Sequence, residues 1–269
     1  MNTYSKFHRT YLRVSIVSAL IGWFSCAPNL VSGNEKVITL SDEVTVQKID
    51  DDVWIHISFR EVEGFGLVPA NGLVIVSDGK GIAIDLPWTD GQTKTLFGWF
   101  RSEQGVEIEL VIPTHSHDDC AGGLAEAHRQ GADSWALKQT AEKLKEEEKE
   151  VPRNTFEKTK SLQRGETEVL LSYEGGGHTT DNIIAWLPAQ KILFGGCAVK
   201  SLEAANIGYV KEADAKSWPI MLNGLLKNYP DAEKVVPGHG DAGGLDLVRH
   251  SIKMVNSGKK LGLFNRTTE

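Results

Sequence analysis

Four short apolar segments of this chain each run straight into a polar or glycine-rich loop carrying a side chain able to bind a metal. Residues 106–112 lead into Pro113-Thr114-His115-Ser116-His117-Asp118-Asp119-Cys120. A strand at 168–173 is followed by Gly175-Gly176-Gly177-His178. The segment 191–194 leads to Gly195-Gly196-Cys197, and 233–236 to Pro237-Gly238-His239-Gly240. Runs of this length and composition read as strands, and loops just past strand ends are where folds place their chemistry. This repeated placement is what loops converging at one edge of the fold would produce.

The run from His115 to Asp119 is the most specific of these signals. On an extended loop the alternate residues His115 and His117 point to the same side and can share one cation. Asp119 follows where the loop begins to turn. Imidazole and carboxylate are ordinary zinc ligands, and a thiolate from Cys197 beside them suits zinc and disfavours magnesium or calcium. Gly122-Gly123 permits close packing at the start of the next helix. Taken singly, His178, Cys197 and His239 read equally well as structural residues. Together with the motif they point to a site for two metals. Three other histidines lack such company: His56 within a strand, expected to be half-buried; His128 at a helix end, where a cation is favoured; and His250 in a terminal helix.

Strands are expected at 37–40, 44–48, 53–59, 72–76 and 81–86, with a hairpin turn at Asp78-Gly79. A helix at 89–103 starts on Thr89 and carries Leu96, Trp99 and Phe100 on its apolar face. Further on come strands at 134–137, 183–187 and 191–194, a charged helix at 138–149, and helices at 213–227 and 245–258. The layout, strands then helices and repeated, fits an α+β sandwich of two packed sheets with helices outside. Pro152 and Asn154 mark the boundary between the halves. The acidic run Glu146–Glu150 reads as a solvated helix face. Between two strands, Gly64-Phe65-Gly66 reads equally as a flexible hairpin tip with an apolar knob and as an ordinary turn.

The 269 residues suit one large domain. Lys6, Arg9 and Arg13 precede an apolar run at 14–27 that is short and interrupted for a membrane span, and Val31-Ser32-Gly33 follows. Residues 1–33 therefore read as a signal peptide and 34–269 as the working domain, exported to the periplasm with no membrane span. A cytosolic apolar helix would leave Trp23 and Phe24 without a purpose. A lipoprotein anchor at Cys26 is a weaker alternative, because Gly22-Trp23-Phe24-Ser25 is bulky for such processing. The formal charge of −7 becomes more negative once three basic residues leave with the leader. No basic patch points to nucleic acid, and no heptad demands assembly, so a monomer is expected. Cys120 and Cys197 remain; in an exported chain two cysteines usually suggest a disulfide, but their surroundings suggest a metal.

From about residue 36 to its end the chain resembles the metallo-β-lactamases of class B, subclass 1. The resemblance implies a four-layer αβ/βα sandwich with two zinc ions at one sheet edge. His115, His117 and His178 would hold the first, and Asp119, Cys197 and His239 the second. It implies that Lys200 binds a substrate carboxylate and that Asn206 lies near the lactam carbonyl. Phe65 would sit on a flap over the substrate, and Asp85 would lie beneath the metals. The substrates implied are penicillins, cephalosporins and carbapenems, opened by a zinc-bound hydroxide that Asp119 orients. No protein nucleophile is needed, and the chain has no G-x-S-x-G. Its two S-x-x-K matches, at Ser77 and Ser257, lack the S-D-N and K-T-G partners of a serine mechanism. Related thioesterases and lactonases carry a histidine where Cys120 stands and a bridging aspartate where Cys197 stands. A zinc hydrolase of lactones or thioesters is the alternative enzyme, and a zinc-binding protein without turnover the non-enzymatic one. Cys120 departs from the subclass, where arginine or another polar residue is usual. It reads as a bystander, as a modulator or alternative ligand of the second metal, or as a disulfide partner for Cys197 when metal is lost.

Overall fold

Successive residues of the central strands face two different cores, and this alternation builds the layers. In the fourth strand Leu73 and Ile75 enter one core while Val74 enters another. Near the other end of the chain Ile192 and Phe194 join the first core and Leu193 a third. The computed structural model describes residues 36–265, so the leader expected at 1–33, with Cys26, lies outside the described residues.

The first sheet has eight strands in chain order: β1 (Val37–Ser41), β2 (Val44–Asp50), β3 (Val53–Val62), β4 (Gly66–Ser77), β5 (Lys80–Ile84), β6 (Glu107–Ile112), β7 (Asp133–Leu137) and β8 (Asn154–Phe156). The second has five, β9 (Thr159–Arg164), β10 (Thr167–Ser172), β11 (Ile184–Leu187), β12 (Ile192–Gly196) and β13 (Lys234–Pro237), ordered β13-β12-β11-β10-β9. Both sheets are mixed, with parallel pairs β5–β6, β6–β7, β7–β8 and β12–β13. The sheets pack face to face through Ile55, Leu73, Ile84, Leu171, Leu187 and Phe194. Helices α1 (Asp90–Gln104), α2 (Asp118–Ala121), α3 (Leu124–Arg129) and α4 (Lys138–Glu146) belong to the first half. Leu96, Phe100, Leu124 and Leu144 of α1, α3 and α4 cover the outer face of the first sheet. Helices α5 (Trp218–Asn228) and α6 (Asp246–Lys260) cover the second with Leu222, Leu225 and Val248. The result is the expected αβ/βα sandwich. Each buried aliphatic side chain in these layers contributes roughly 1.5–3 kcal/mol.

Four local readings differ from the sequence expectation. Residues 154–164 form two strands that the sequence hides, because their exposed faces are polar and only Phe156 and Leu162 are buried. The junction between halves is therefore Glu157-Lys158, between β8 in one sheet and β9 in the other, a few residues past Asn154. Helix α5 starts at Trp218 rather than near 213, since the Asp214 carboxylate caps the amides of Lys216 and Ser217 in a turn and Pro219 opens the helix. Helix α4 ends at Glu146, and Lys149 folds back to Asp118 at 2.8 Å, so the acidic run is only partly a helix face. His56 is fully buried rather than half-buried.

The β3–β4 hairpin extends beyond the sheet. Val62 pairs with Gly66 across the tip, and Phe65 N–H donates to Val62 O at 2.9 Å. Gly64 and Gly66 both have positive φ, which the tight tip requires. Phe65 is left more than half exposed.

Candidate metal centre

The loop after β6 is pinned from below. Thr114 N–H donates to Asp85 Oδ1 at 2.6 Å and its hydroxyl to Asp85 Oδ2 at 2.9 Å. Ser116 N–H donates to Asp181 Oδ2 at 3.0 Å, and Ile183 N–H to Thr114 O at 2.9 Å. With the backbone fixed at alternate residues, His115 and His117 project together. Asp85 has no exposure and a positive φ of 55°; burial pushes its carboxyl well up, against the Thr114 hydrogen bonds. The two aspartates of the motif part company. Asp118 turns out to Arg60 and Lys149 at 3.0 and 2.8 Å, while Asp119 turns in and is buried. Gly122 and Gly123 are obligatory: an added Cβ would lie 2.2 Å from Trp88 O and 1.8 Å from Thr93 Oγ1.

His178 arrives on the glycine loop between β10 and β11. His115 Nε2 lies 3.1 Å from His117 Nδ1, and His178 Nε2 lies 3.3 Å from the same atom. The other ring nitrogen of His117, Nε2, lies 3.1 Å from Glu212 Oε1. A carboxylate only accepts, so Nε2 carries the proton and Nδ1 keeps its lone pair. Burial lowers the pKa of His115, and lowers that of His178 well below the usual histidine range. Burial also opposes charge on His117, but the Glu212 hydrogen bond and Asp119 outweigh it and raise its pKa. The same bond, with Lys143, draws Glu212 down to about 2.

A second set adjoins the first. His239 Nε2 is 3.2 Å from Asp119 Oδ2 and 3.4 Å from Cys197 Sγ, and Cys197 Sγ is 3.4 Å from Asp119 Oδ2. His239 Nδ1 donates to Pro69 O at 2.6 Å, which leaves Nε2 free to ligate. Asn71 holds this loop, donating from Nδ2 to Pro237 O at 2.9 Å and Gly240 O at 2.7 Å. Gly238 must be glycine, since a Cβ there would lie 2.5 Å from Cys197 Sγ. Burial raises Asp119, yet the His239 hydrogen bond and the neighbouring histidines carry it well below the usual carboxylate range. Cys120 is buried with its sulfur within 4.8 Å of the ligand atoms of His115, Asp119 and Cys197, and both cysteines are free thiols. A hydrogen bond from Cys120 draws the Cys197 thiol well down against burial, while burial pushes Cys120 well up.

These atoms fit zinc. Three imidazole nitrogens, His115 Nε2, His117 Nδ1 and His178 Nε2, face one another closely enough to share one cation. Tetrahedral zinc with nitrogen ligands places them about 3.3 Å apart, as bond lengths near 2.0–2.1 Å require. The second set, carboxylate, thiolate and imidazole, has equal spacing and the borderline softness zinc prefers.

Both sets border a cavity of about 710 Å³. Phe65, Trp88, Lys200, Asn206 and Tyr209 are among the residues that line it. Lys200 is buried, and burial lowers its pKa. Its ammonium lies 5.5 Å from the centre of the Trp218 ring. Among the described residues no carboxylate pairs with it. Asn206 Oδ1 accepts from Gly208 N–H at 2.8 Å, which turns the amide nitrogen to donate elsewhere. Every site residue read from the sequence thus lies at the centre, beneath it or around the cavity. Sequence reading missed Asn71, Lys143, Asp181 and Glu212.

Residues 65–239 match the family model described as the metallo-beta-lactamase superfamily. The chain belongs to this family. Its three-histidine and Asp-Cys-His sets are those of class B, subclass 1, and the fold, the donor sets and the relatives make it a zinc-dependent hydrolase with a two-zinc centre. It is 37% identical over 222 residues to the metallo-beta-lactamase type 2 of Bacteroides fragilis, covering 82% of this chain and 89% of that protein. It is similar to the solved structure of TMB-1, at 39% identity and TM-score 0.77 over 81% of this chain and 100% of that one. The metallo-beta-lactamase from Pontibacter korlensis gives 37% identity and TM-score 0.77, covering 80% and 99%. No helix among the described residues is long and apolar enough to cross a membrane.

Proposed function

We propose that this family member hydrolyses the β-lactam ring of penicillins, cephalosporins and carbapenems, and so confers resistance to them. The observation that carries this reading is the shared cavity. The metal donor sets, an ammonium without a carboxylate partner and a free amide donor all face one space of about 710 Å³. His115, His117 and His178 would hold one zinc and Asp119, Cys197 and His239 the other, where the metal would supply Lewis acidity and make hydroxide available at neutral pH. Lys200 takes the carboxylate that these antibiotics share, as a point charge. Asn206 donates to the lactam oxygen as charge develops on it. Asp119 orients the attacking hydroxide and relays its proton towards the departing nitrogen. Phe65, on the hairpin tip, covers the apolar face of the substrate and excludes water. Asp85 and Cys120 hold the floor.

We infer further that residues 1–33 direct export to the periplasm, where these drugs act, and that the domain works as a monomer. The test is hydrolysis of imipenem and a cephalosporin with and without EDTA. Turnover that EDTA abolishes and zinc restores is expected. A zinc-loaded protein that cleaves a thioester or lactone but neither lactam would overturn the substrate assignment.

A further inference from the structure

His117 is gripped at both of its polar edges. Its Nδ1 faces the other two imidazoles, while Nε2 meets Glu212 Oε1 at 3.1 Å. The other oxygen of Glu212 meets Lys143 Nζ at 3.0 Å. Lys143 also pairs with Asp181 Oδ1 at 3.0 Å. Asp181 has no side-chain exposure, and its second oxygen takes the Ser116 N–H at 3.0 Å. One lysine from α4 in the first half therefore ties together two carboxylates from the second half. Those carboxylates hold consecutive residues of the ligand loop, one through backbone and one through a ring. Tyr209, which also lines the cavity, meets the His117 ring edge-on, with centroids 5.4 Å apart.

We propose that Glu212 is a positioning residue for the metal centre. It fixes His117 as the Nε2–H tautomer and sets the ring's rotation, so that the Nδ1 lone pair meets the cation without a search among tautomers and rotamers. Lys143 and Asp181 lock Glu212 to the backbone that carries His117. The physical basis is general: a carboxylate accepting the distal proton of a ligating histidine orients the ring and raises its basicity, and removing it costs about 10–100-fold in metal affinity. The inference rests on the reading that His117 is a zinc ligand. It concerns metal binding alone, so it is measured without any lactam and fails independently of the substrate assignment.

The experiment is zinc titration of the metal-free protein against a chromophoric chelator, for wild type, Glu212→Ala, Glu212→Asp and Lys143→Met. Cobalt spectra report the two sets separately, the thiolate charge-transfer band marking Cys197 and the ligand-field bands marking the histidines. Glu212→Ala is expected to weaken zinc binding by about 10–100-fold and to alter the ligand-field bands, with the thiolate band retained. Glu212→Asp is expected to recover part of the affinity, and Lys143→Met to lose a smaller part. The denaturation midpoint of metal-free Glu212→Asp should stay near wild type, since a carboxylate still pairs with Lys143, while Lys143→Met should lower it by leaving buried Asp181 unpaired. Zinc affinity of Glu212→Ala within about twofold of wild type overturns the proposal. So does a loss of affinity that tracks an equal loss of metal-free stability and that aspartate fails to restore.

Discussion

Two histidine-centred clusters can be compared in this molecule, and only one of them does chemistry. At the first cluster His128 Nδ1 meets Glu150 Oε1 at 2.5 Å and His128 Nε2 meets Ser134 Oγ at 2.8 Å. On distances alone this serine, histidine and carboxylate have the spacing of a hydrolytic triad. Ser134 has no exposure, however, and its oxygen already accepts the Arg153 N–H at 2.7 Å. Every polar edge is satisfied, and no substrate can reach the hydroxyl. The metal centre is the reverse. Its ring nitrogens point at one another, a charge without a carboxylate partner stands nearby, and a cavity opens beside them. Function follows from groups that are left unsatisfied in an accessible place, and not from triad-like distances.

The comparison breaks first at His117. His117→Ala is expected to lower kcat/KM for imipenem by about a thousandfold, the scale lost with an electrostatic partner of a reaction. His128→Ala should leave it within about twofold, measured by steady-state kinetics on zinc-loaded proteins. A third histidine sharpens the contrast by pH. Burial lowers His56 from 6.5 to about 4, while the unfolded chain titrates near 6.5. Between those values the unfolded state binds the extra proton, so stability falls as pH drops from 6.5 towards 4, by up to about 3 kcal/mol. Denaturant midpoints across that window should show a shallower slope for His56→Gln than for wild type. An equal slope would remove His56 from the account. Lys200→Ala should raise KM about 10–100-fold with a smaller change in kcat, as expected for a lost charge-assisted contact made in ground and transition state alike. The smallest effect belongs to the satisfied cluster. Ser134→Ala should cost about 1–3 kcal/mol in denaturant unfolding, by orphaning the Arg153 N–H and the His128 nitrogen, with turnover unchanged.

What the sequence disclosed follows from how far each interaction reaches along the chain. His115, His117 and Asp119 lie within one loop, and their spacing alone put them on one side. His178, Cys197 and His239 each follow an apolar strand, so strand patterning carried them to the same edge. Lys200 and Asn206 were placed by resemblance to a family. Glu212 and Asp181 belong to no local pattern. Glu212 meets His117 across 95 residues, and only the packing of the two halves brings them together. Asn71 lies just before the strand expected at 72–76 and belongs to no pattern there, though it carries the loop of His239. Strands β8 and β9 escaped because edge strands bury few residues and leave a polar face outside, which blurs the apolar alternation.

The junction at Glu157-Lys158 has a consequence of its own. Each side of it owns a sheet, a helical cover and an incomplete share of the donors: three before the cut, His115, His117 and Asp119, and three after it, His178, Cys197 and His239. Both sets draw on both sides. A chain opened at this point would yield two fragments, neither able to assemble a centre alone, whose sticky inner faces and split donors give them reason to find each other. Zinc would then act as a fastener between separate polypeptides, and the recovered hydrolysis would report their reunion.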